Sequence, residues 1–458
     1  MNVYTRDSLQ SVPFRVEDLR KIPAERYYDE EFFRLENEKL WPRVWQMACR
    51  LEEIPEVGDF TEYTILGKSV IIVRTKSGVK AFHNACRHRG VRLVGEPGNC
   101  EVKGFNCPFH GWRWNIDGEN TFVFDRKSFD EDVLDKAEIN LAPCKIDFWA
   151  GCAFINFDDE ARPLRECLGP VVDRLGARNV DNLKMDWWFG TILPTNWKLA
   201  MEAFMDNFHV MRTHPQLFEL SAEDAPGIGG TRQLSKMSGR EAVNMTVDFM
   251  ARLSDGMAGM VHPTEVAVLE KLRDMDAPDD ATAAVGAFYM KAWQDIRDEA
   301  LSRGAPMFDL PKVATEVEFF SVEFMFPHFF LLPFLGAMSS YRIRPLTPET
   351  CIFELWSLVL RPEDEPYDTP KKPTMLAYNS QEFPEIPRQD YSNLPLQQLG
   401  LHAEKFKVMR LSKSEEGMIS NYQRLIDGYM AGLDSETLAK GSSIVNHGNA
   451  GLIRDIGF

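Results

Sequence analysis

Over residues 1–45 the apolar positions Tyr28, Phe32, Phe33, Leu35, Leu40 and Trp41 recur at mixed three- and four-residue steps, the spacing of an amphipathic helix. From about residue 50 the period shortens. Phe60–Ile65 and Ser69–Val73 are short β-branched or aromatic runs, and turn pairs set them off at Gly58-Asp59, Gly67-Lys68, Ser77-Gly78 and Asp117-Gly118. This predicts an all-β module whose last strand lies at 151–157. Beyond Arg162-Pro163 the pattern predicts helix at 164–176, strand at 186–194, helix at 195–214 and two further helices near 264–273 and 283–303. Residues 317–360 read as strands. The stretch 361–388 is rich in Pro and acidic residues and reads as loop, because proline lacks an N–H and fixes φ. Helix returns at 412–431. The expected organisation is a helical segment (1–45), an all-β domain (46–160) and an α+β domain (161–458).

Length and composition narrow this picture. A chain of 458 residues, 44% hydrophobic and 26% charged, is a globular protein of two or three folding units. The net charge of −17 argues against a nucleic-acid partner, which would require a positive footprint. The longest apolar run, near Phe329–Met338, contains Pro333 and Gly336 and is too short to span a membrane. The opening MNVYTRDSLQ has no apolar core of a secretory signal, so a cytoplasmic location is expected. In that reducing compartment the eight cysteines do not read as a disulfide framework. Cys49, Cys100, Cys144, Cys152, Cys167 and Cys351 lack paired spacing and read as small buried hydrophobes.

The remaining two cysteines carry chemistry. Cys86-Arg87-His88-Arg89-Gly90 and Cys107-Pro108-Phe109-His110-Gly111-Trp112 each supply a thiol and an imidazole, on two loops of the β module. A Cys₂His₂ set suits zinc or an iron–sulfur cluster. A zinc finger runs Cys, Cys, then His, His, with its imidazoles on a helix. Here each half pairs Cys with His, as a Rieske [2Fe–2S] centre requires.

A second group lies in Glu202-Ala203-Phe204-Met205-Asp206-Asn207-Phe208-His209-Val210-Met211-Arg212-Thr213-His214-Pro215. On an ideal helix His209 and His214 point about 140° apart, so sharing a metal would require the helix to end or bulge between them. Pro215 favours that, since the residue before a proline avoids the α region. Asp206, three before His209, is placed to orient that imidazole through its second nitrogen. Two histidines and a carboxylate make a non-haem iron(II) site that activates oxygen. The carboxylate must come from elsewhere, with Asp390 preferred and Glu323, Glu382 and Glu385 as rivals. Phe204, Met205, Phe208, Met211 and Leu217, with the stretch from Phe319 to Leu335, are candidate walls of a hydrophobic substrate pocket.

These motifs resemble the large (α) subunits of Rieske non-haem iron ring-hydroxylating oxygenases. C-x-H-R-G and C-P-x-H-G-W match the cluster pattern. Asn196-Trp197-Lys198 followed by E-x-F-x-D-x-F-H-x4-H is similar to the mononuclear iron pattern, and Gln389-Asp390 with Asn393 to the stretch carrying the carboxylate ligand. Ala203 and Phe208 depart from the residues many members have there. The resemblance implies an α+β fold class, with an all-β Rieske domain and a catalytic domain whose antiparallel sheet is surrounded by helices in a helix-grip arrangement, the helical segment 1–45 packing with that catalytic domain. It implies a [2Fe–2S] cluster on Cys86, His88, Cys107 and His110, and mononuclear Fe(II) on His209, His214 and Asp390. Asp206 would bridge a cluster histidine of one chain to His209 of a neighbour in a trimeric ring. Electrons would come from NAD(P)H through a reductase or ferredoxin, and a small β subunit is a further implied partner. The implied reaction is hydroxylation of an aromatic or other hydrophobic substrate, with O- or N-demethylation as the alternative. An electron carrier without oxygenase chemistry would leave some 300 residues unexplained, and a zinc-stabilised binding protein is the third reading. A redox partner could dock near Arg87, Arg89, Arg92 and Arg113.

Overall fold

The computed structural model describes residues 6–206, 209–215, 236–257, 259–448 and 451–458. It divides into two compact units, Trp41–Leu164 and Met1–Leu40 with Arg165–Phe458.

The smaller unit is built from three antiparallel sheets. In the four-stranded sheet Asp59–Ile65 pairs with Lys68–Thr75, with Ile65 opposite Lys68. Leu66 and Gly67 make the turn, both with positive φ, the handedness that matches strand twist in a two-residue hairpin. Asp59–Ile65 buries Thr61, Tyr63 and Ile65 on one face, and Val70–Val73 of the central strand is buried throughout. The strand expected at 151–157 is Cys152–Asn156, central in a second sheet between Lys145–Trp149 and Gln46–Arg50. The third sheet, Phe105–Asn106, Arg113–Trp114 and Asn120–Phe122, meets a core of Phe82, Trp112, Trp114, Ile139 and Leu141 that also encloses Cys86 and Cys107.

The larger unit is α+β. Its six-stranded sheet runs in the order Glu323–Met325, Phe329–Pro333, Met338–Thr347, Thr350–Leu360, Leu183–Leu193, Thr374–Met375. It is antiparallel except for the last pair. Helices of this unit include Trp197–Glu202, Gly239–Gly256, Ala281–Ser302, Glu385–Leu401 and Gly417–Met430. No described helix is long and apolar enough to cross a membrane.

Several expectations need correcting. The N-terminal segment is not one amphipathic helix. It contains a strand, Lys21–Pro23, paired with Val408–Arg410, and short helical turns at Ala24–Tyr27 and Glu30–Leu35. Its apolar side chains pack by tertiary contact and so mimic a helical period. The helix expected over 164–176 breaks at Gly169-Pro170, and the strand expected from Val317 begins at Glu323. The helix expected over 195–214 stops at Glu202 and resumes only at Val210–Thr213. The Pro-rich loop contributes a short parallel strand at Thr374–Met375 and yields to helix at Glu385, because prolines in a first turn need no N–H partner. The 18-residue helix Gly239–Gly256, which the sequence reading lacked, starts with a capping box between Ser238 and Glu241.

Candidate metal centres

Two loops of the smaller unit share one hydrogen-bond design. Cys86 N–H donates to Val91 O (2.8 Å) and Gly90 N–H to Cys86 O (2.8 Å); Cys107 N–H donates to Trp112 O (2.8 Å) and Gly111 N–H to Cys107 O (3.0 Å). Each loop turns at its glycine, with φ of +76° at Gly90 and +73° at Gly111, a conformation that side chains resist. The two loops thereby bring like donors together. The buried Cys86 and Cys107 thiols lie within hydrogen-bonding reach of each other and are not disulfide-bonded. The His88 and His110 rings lie 4.7 Å apart, and Trp112 stacks on His88 at 5.0 Å and 7°. Burial pushes the Cys86 thiol up, and Cys107 adds to this. Burial, then His110 and Arg89, push His88 down, which favours the neutral imidazole that binds metal.

Among the described residues, three or more His, Cys, Asp or Glu donors gather within 4.8 Å only at His209, His214 and Asp390. Paired thiols and paired imidazoles fit a two-iron cluster with unlike ends. Arg87, Arg89, Arg92 and Arg113 are exposed around these loops, but Arg92 is paired with Glu62 at 2.5 Å.

In the larger unit Asn196 caps Trp197–Glu202, its side chain accepting from Lys198 N–H at 2.9 Å. The chain then leaves the helix, so Asp206 and His209 do not share a helical face. Asp206 still reaches His209, its Oδ2 lying 3.3 Å from Nδ1. His209 begins the single turn Val210–Thr213, and His214 ends it outside the helical region (φ −119°, ψ 56°) before Pro215. That turn brings the two rings to 5.4 Å. Asp390 comes from the helix Glu385–Leu401, where it is buried. Its Oδ1 lies 3.1 Å from His214 Nε2 and 3.7 Å from His209 Nε2. Both Nε2 atoms thus face one carboxylate, while both Nδ1 atoms face outer partners: Asp206 for His209 and Gln389 Oε1, at 2.6 Å, for His214. Outer partners of this kind set tautomer and ring orientation in metal-binding histidines. Burial disfavours the cation of His209, but Asp206 and Asp390 outweigh it and hold the imidazole above its usual range. Of the rival carboxylates, Glu323 is buried against Arg174 (2.7 Å), and Glu382 and Glu385 are exposed.

Two spaces adjoin the trio. One is an apolar cavity of about 310 Å³ lined by Phe204, Phe249, Leu253, Met257, Leu332 and Phe334 among others, together with His209, His214 and Asp390. The other, about 550 Å³ and more polar, is lined by Glu202, Asp206, His209, Asp390 and Glu416 among others. Met205 is wholly buried and lines neither, so it belongs to the core. Phe208 and Leu217 lie outside the described residues, as does the Met211 side chain. The part Gln389 plays in holding His214, and the wall of Phe249, Leu253 and Met257, escaped the sequence reading. The four-residue spacing of that wall was a signal for a helix face, but not for a cavity.

Residues 173–432 match the family model of the ring hydroxylating alpha subunit catalytic domain, and residues 44–124 that of the Rieske [2Fe-2S] domain. The chain belongs to the Rieske ring-hydroxylating oxygenase alpha-subunit family. The cofactors of this family's two domains are a [2Fe–2S] cluster and a mononuclear iron. The chain is 28% identical to the carnitine monooxygenase oxygenase subunit of Acinetobacter baumannii over 42% of its own length and 52% of the relative's. It is 33% identical to the biphenyl dioxygenase alpha subunit of Paraburkholderia xenovorans over 41% and 43% of the two chains. These matches span about half the length of the curated relatives. Naphthalene 1,2-dioxygenase from Rhodococcus sp. shares the fold of this alpha-subunit family member, with a TM-score of 0.59, 19% identity and coverage of 94% of this chain and 98% of that one.

Proposed function

We propose that this chain is the terminal oxygenase component of a multicomponent Rieske oxygenase, hydroxylating a neutral, hydrophobic and preferably aromatic substrate. The observation that carries this reading is a two-histidine, one-carboxylate trio in the lining of a 310 Å³ apolar cavity. When bound, the cluster supplies electrons singly and the iron(II) supplies a position where O₂ is reduced beside the substrate. Cys86 and Cys107 hold one iron of the cluster, and His88 and His110 the other. His209, His214 and Asp390 hold the mononuclear iron. Gln389 fixes the His214 ring. Asp206 orients His209 and is the residue that would link it to a cluster histidine of a neighbouring copy in a trimeric ring. Phe204, Phe249, Leu253 and Met257 exclude water and orient the substrate by shape, since Asp206 and the three iron ligands are the ionisable side chains among the described residues lining the cavity.

This lining favours a neutral substrate over a zwitterion like the one in the carnitine monooxygenase name. Ring dihydroxylation and demethylation use the same ligand set, so the reading covers both, with aromatic ring hydroxylation first. Electrons come from NAD(P)H through a reductase or ferredoxin, and the location expected is the cytoplasm. The test is oxygen uptake and product analysis with a surrogate reductase, on panels of neutral arenes, methoxylated arenes and quaternary ammonium compounds. Uptake coupled to a hydroxylated arene supports the reading. Zinc without acid-labile sulfide in the purified protein would sink it.

A further inference from the structure

Behind the iron trio lies a group of buried ionisable side chains that the reading above does not use. Arg26 and Asp427 pair at 2.5 Å, and Lys198 and Glu36 at 2.6 Å. Glu202 is the acid left over, buried with no cation of its own. Both its oxygens lie 2.9 Å from Tyr27 OH, and Gln423 Nε2 donates to Oε1. The Gln423 amide orientation is fixed, because its Oε1 accepts from Arg26 Nε at 2.7 Å. Gln423 Nε2 also donates to Tyr27 OH at 3.1 Å, so the phenol hydrogen points to Glu202. Both protein partners of Glu202 are therefore donors. A proton on Glu202 has its acceptor in the one remaining direction, the 550 Å³ cavity that Glu202 lines together with Asp206, His209 and Asp390.

We propose that Glu202 is the proton-holding residue of this site, delivering a proton through that cavity to the oxygen-reducing centre. The proposal rests on the oxygenase reading. Inserting oxygen from O₂ into a substrate consumes two electrons, here from the external redox donor, and two protons. Neutral Glu202 releases one proton into the cavity and becomes a carboxylate that Tyr27 and Gln423 stabilise by donation. Solvent entering past Glu416 and Arg410 reprotonates it, and solvent supplies the other proton. Burial pushes the Glu202 carboxyl up to about 7, against the donors Gln423 and Tyr27 and the more distant Lys198 and Arg26. Tyr422 packs among the same groups, and Asp206, His209, Asp390, Glu416 and Arg410 face it across the cavity. A group poised near neutrality is suited to give and regain a proton on each turnover.

The test combines infrared titration of the holoenzyme with single-turnover product formation across pH. The expected result is a carboxylic-acid carbonyl band that disappears as pH rises through about 7, and that is missing in Glu202→Gln. In that variant, product formation should slow at least tenfold and lose the pH dependence of the parent. Tyr27→Phe, which removes one donor to the carboxylate, should move the band's midpoint upward, and it serves if Glu202→Gln fails to fold. Absence of the band, its persistence in Glu202→Gln, or a Tyr27→Phe midpoint that stays put would overturn the proposal. So would a Glu202→Gln enzyme that matches the parent in rate and pH profile. If the parent takes up no oxygen with any substrate, the oxygenase reading falls and the delivery role falls with it, whereas the infrared titration still reports the neutral acid separately.

Discussion

The loop donors Cys86, His88, Cys107 and His110 fall within 25 residues, whereas His209 and Asp390 stand 181 positions apart. The first group is held by two short loops, each closed by the same pair of backbone hydrogen bonds and turned by a glycine at positive φ. The second is held by a broken helix, a single helical turn and a distant helix, tied together by Gln389, Asp206 and the packing between them. In the loops, geometry is enforced by the backbone itself, so side-chain surroundings tune the site more than they build it. In the trio, one turn carries both histidines and a distant helix carries Asp390, so small errors in packing between them appear directly as errors in ligand distance. The dispersed site gains something in exchange. It opens on two unlike spaces, one apolar and one more polar.

The contrast can be broken most directly by removing a ligand from each side. His214→Ala should lose the mononuclear iron and reduce product formation by about a thousandfold or more, while the cluster's visible absorbance stays. Cys107→Ser should do the reverse for the metals. Loss of both cofactors in either variant, measured by iron and acid-labile sulfide, would show that the sites are not independent. Asp206→Ala should retain both metals and lower turnover by roughly a hundredfold or more; wild-type turnover would remove its proposed linking role.

Smaller effects sharpen the comparison. Gln389→Leu should weaken iron binding about 10- to 100-fold by freeing the His214 ring, read by metal titration, with the cluster unchanged. The buried acid behind the trio gives a pH signature. Its folded-state pKa is raised from 4.5 to about 7, so its contribution to stability is fully present below 4.5 and is lost as pH rises through 7. Denaturant titrations between these values should show the parent losing on the order of 3 kcal/mol that Glu202→Gln does not lose. At the bottom of the scale, Gly111→Ala should cost about 1–2 kcal/mol in thermal unfolding, because nothing crowds its missing side chain and only the positive φ resists it. A cost of zero would mean that the glycine is not what shapes the loop.

Much of this was legible before any coordinates. The Cys-x-His and Cys-x-x-His spacings, the two glycines, the change from helical to strand periodicity and the histidines around a pre-proline turn all reside in contiguous sequence. The misreadings share one cause. Tyr28 and Phe32 read as part of a helical stripe, yet Tyr28 packs on the His402 ring at 4.5 Å and Phe32 lies under Lys198, contacts that no local window contains. The helix drawn through Asp206 likewise ignored that Phe204 turns in against Phe330 and Tyr341, at 4.4 and 5.0 Å, after the helix has ended.

The sequence by itself determined the donor types, the local loops that pair thiol with thiol and imidazole with imidazole, and the family to which the chain belongs. Only the tertiary structure decided which of several acidic residues meets His209 and His214, which side chains wall the cavity, and that Glu202 is buried without a cation paired to it. Those outcomes depend on distances between segments far apart in the chain. Such distances follow from how the sheet, the helices and the N-terminal segment pack, and no residue spacing encodes them one at a time.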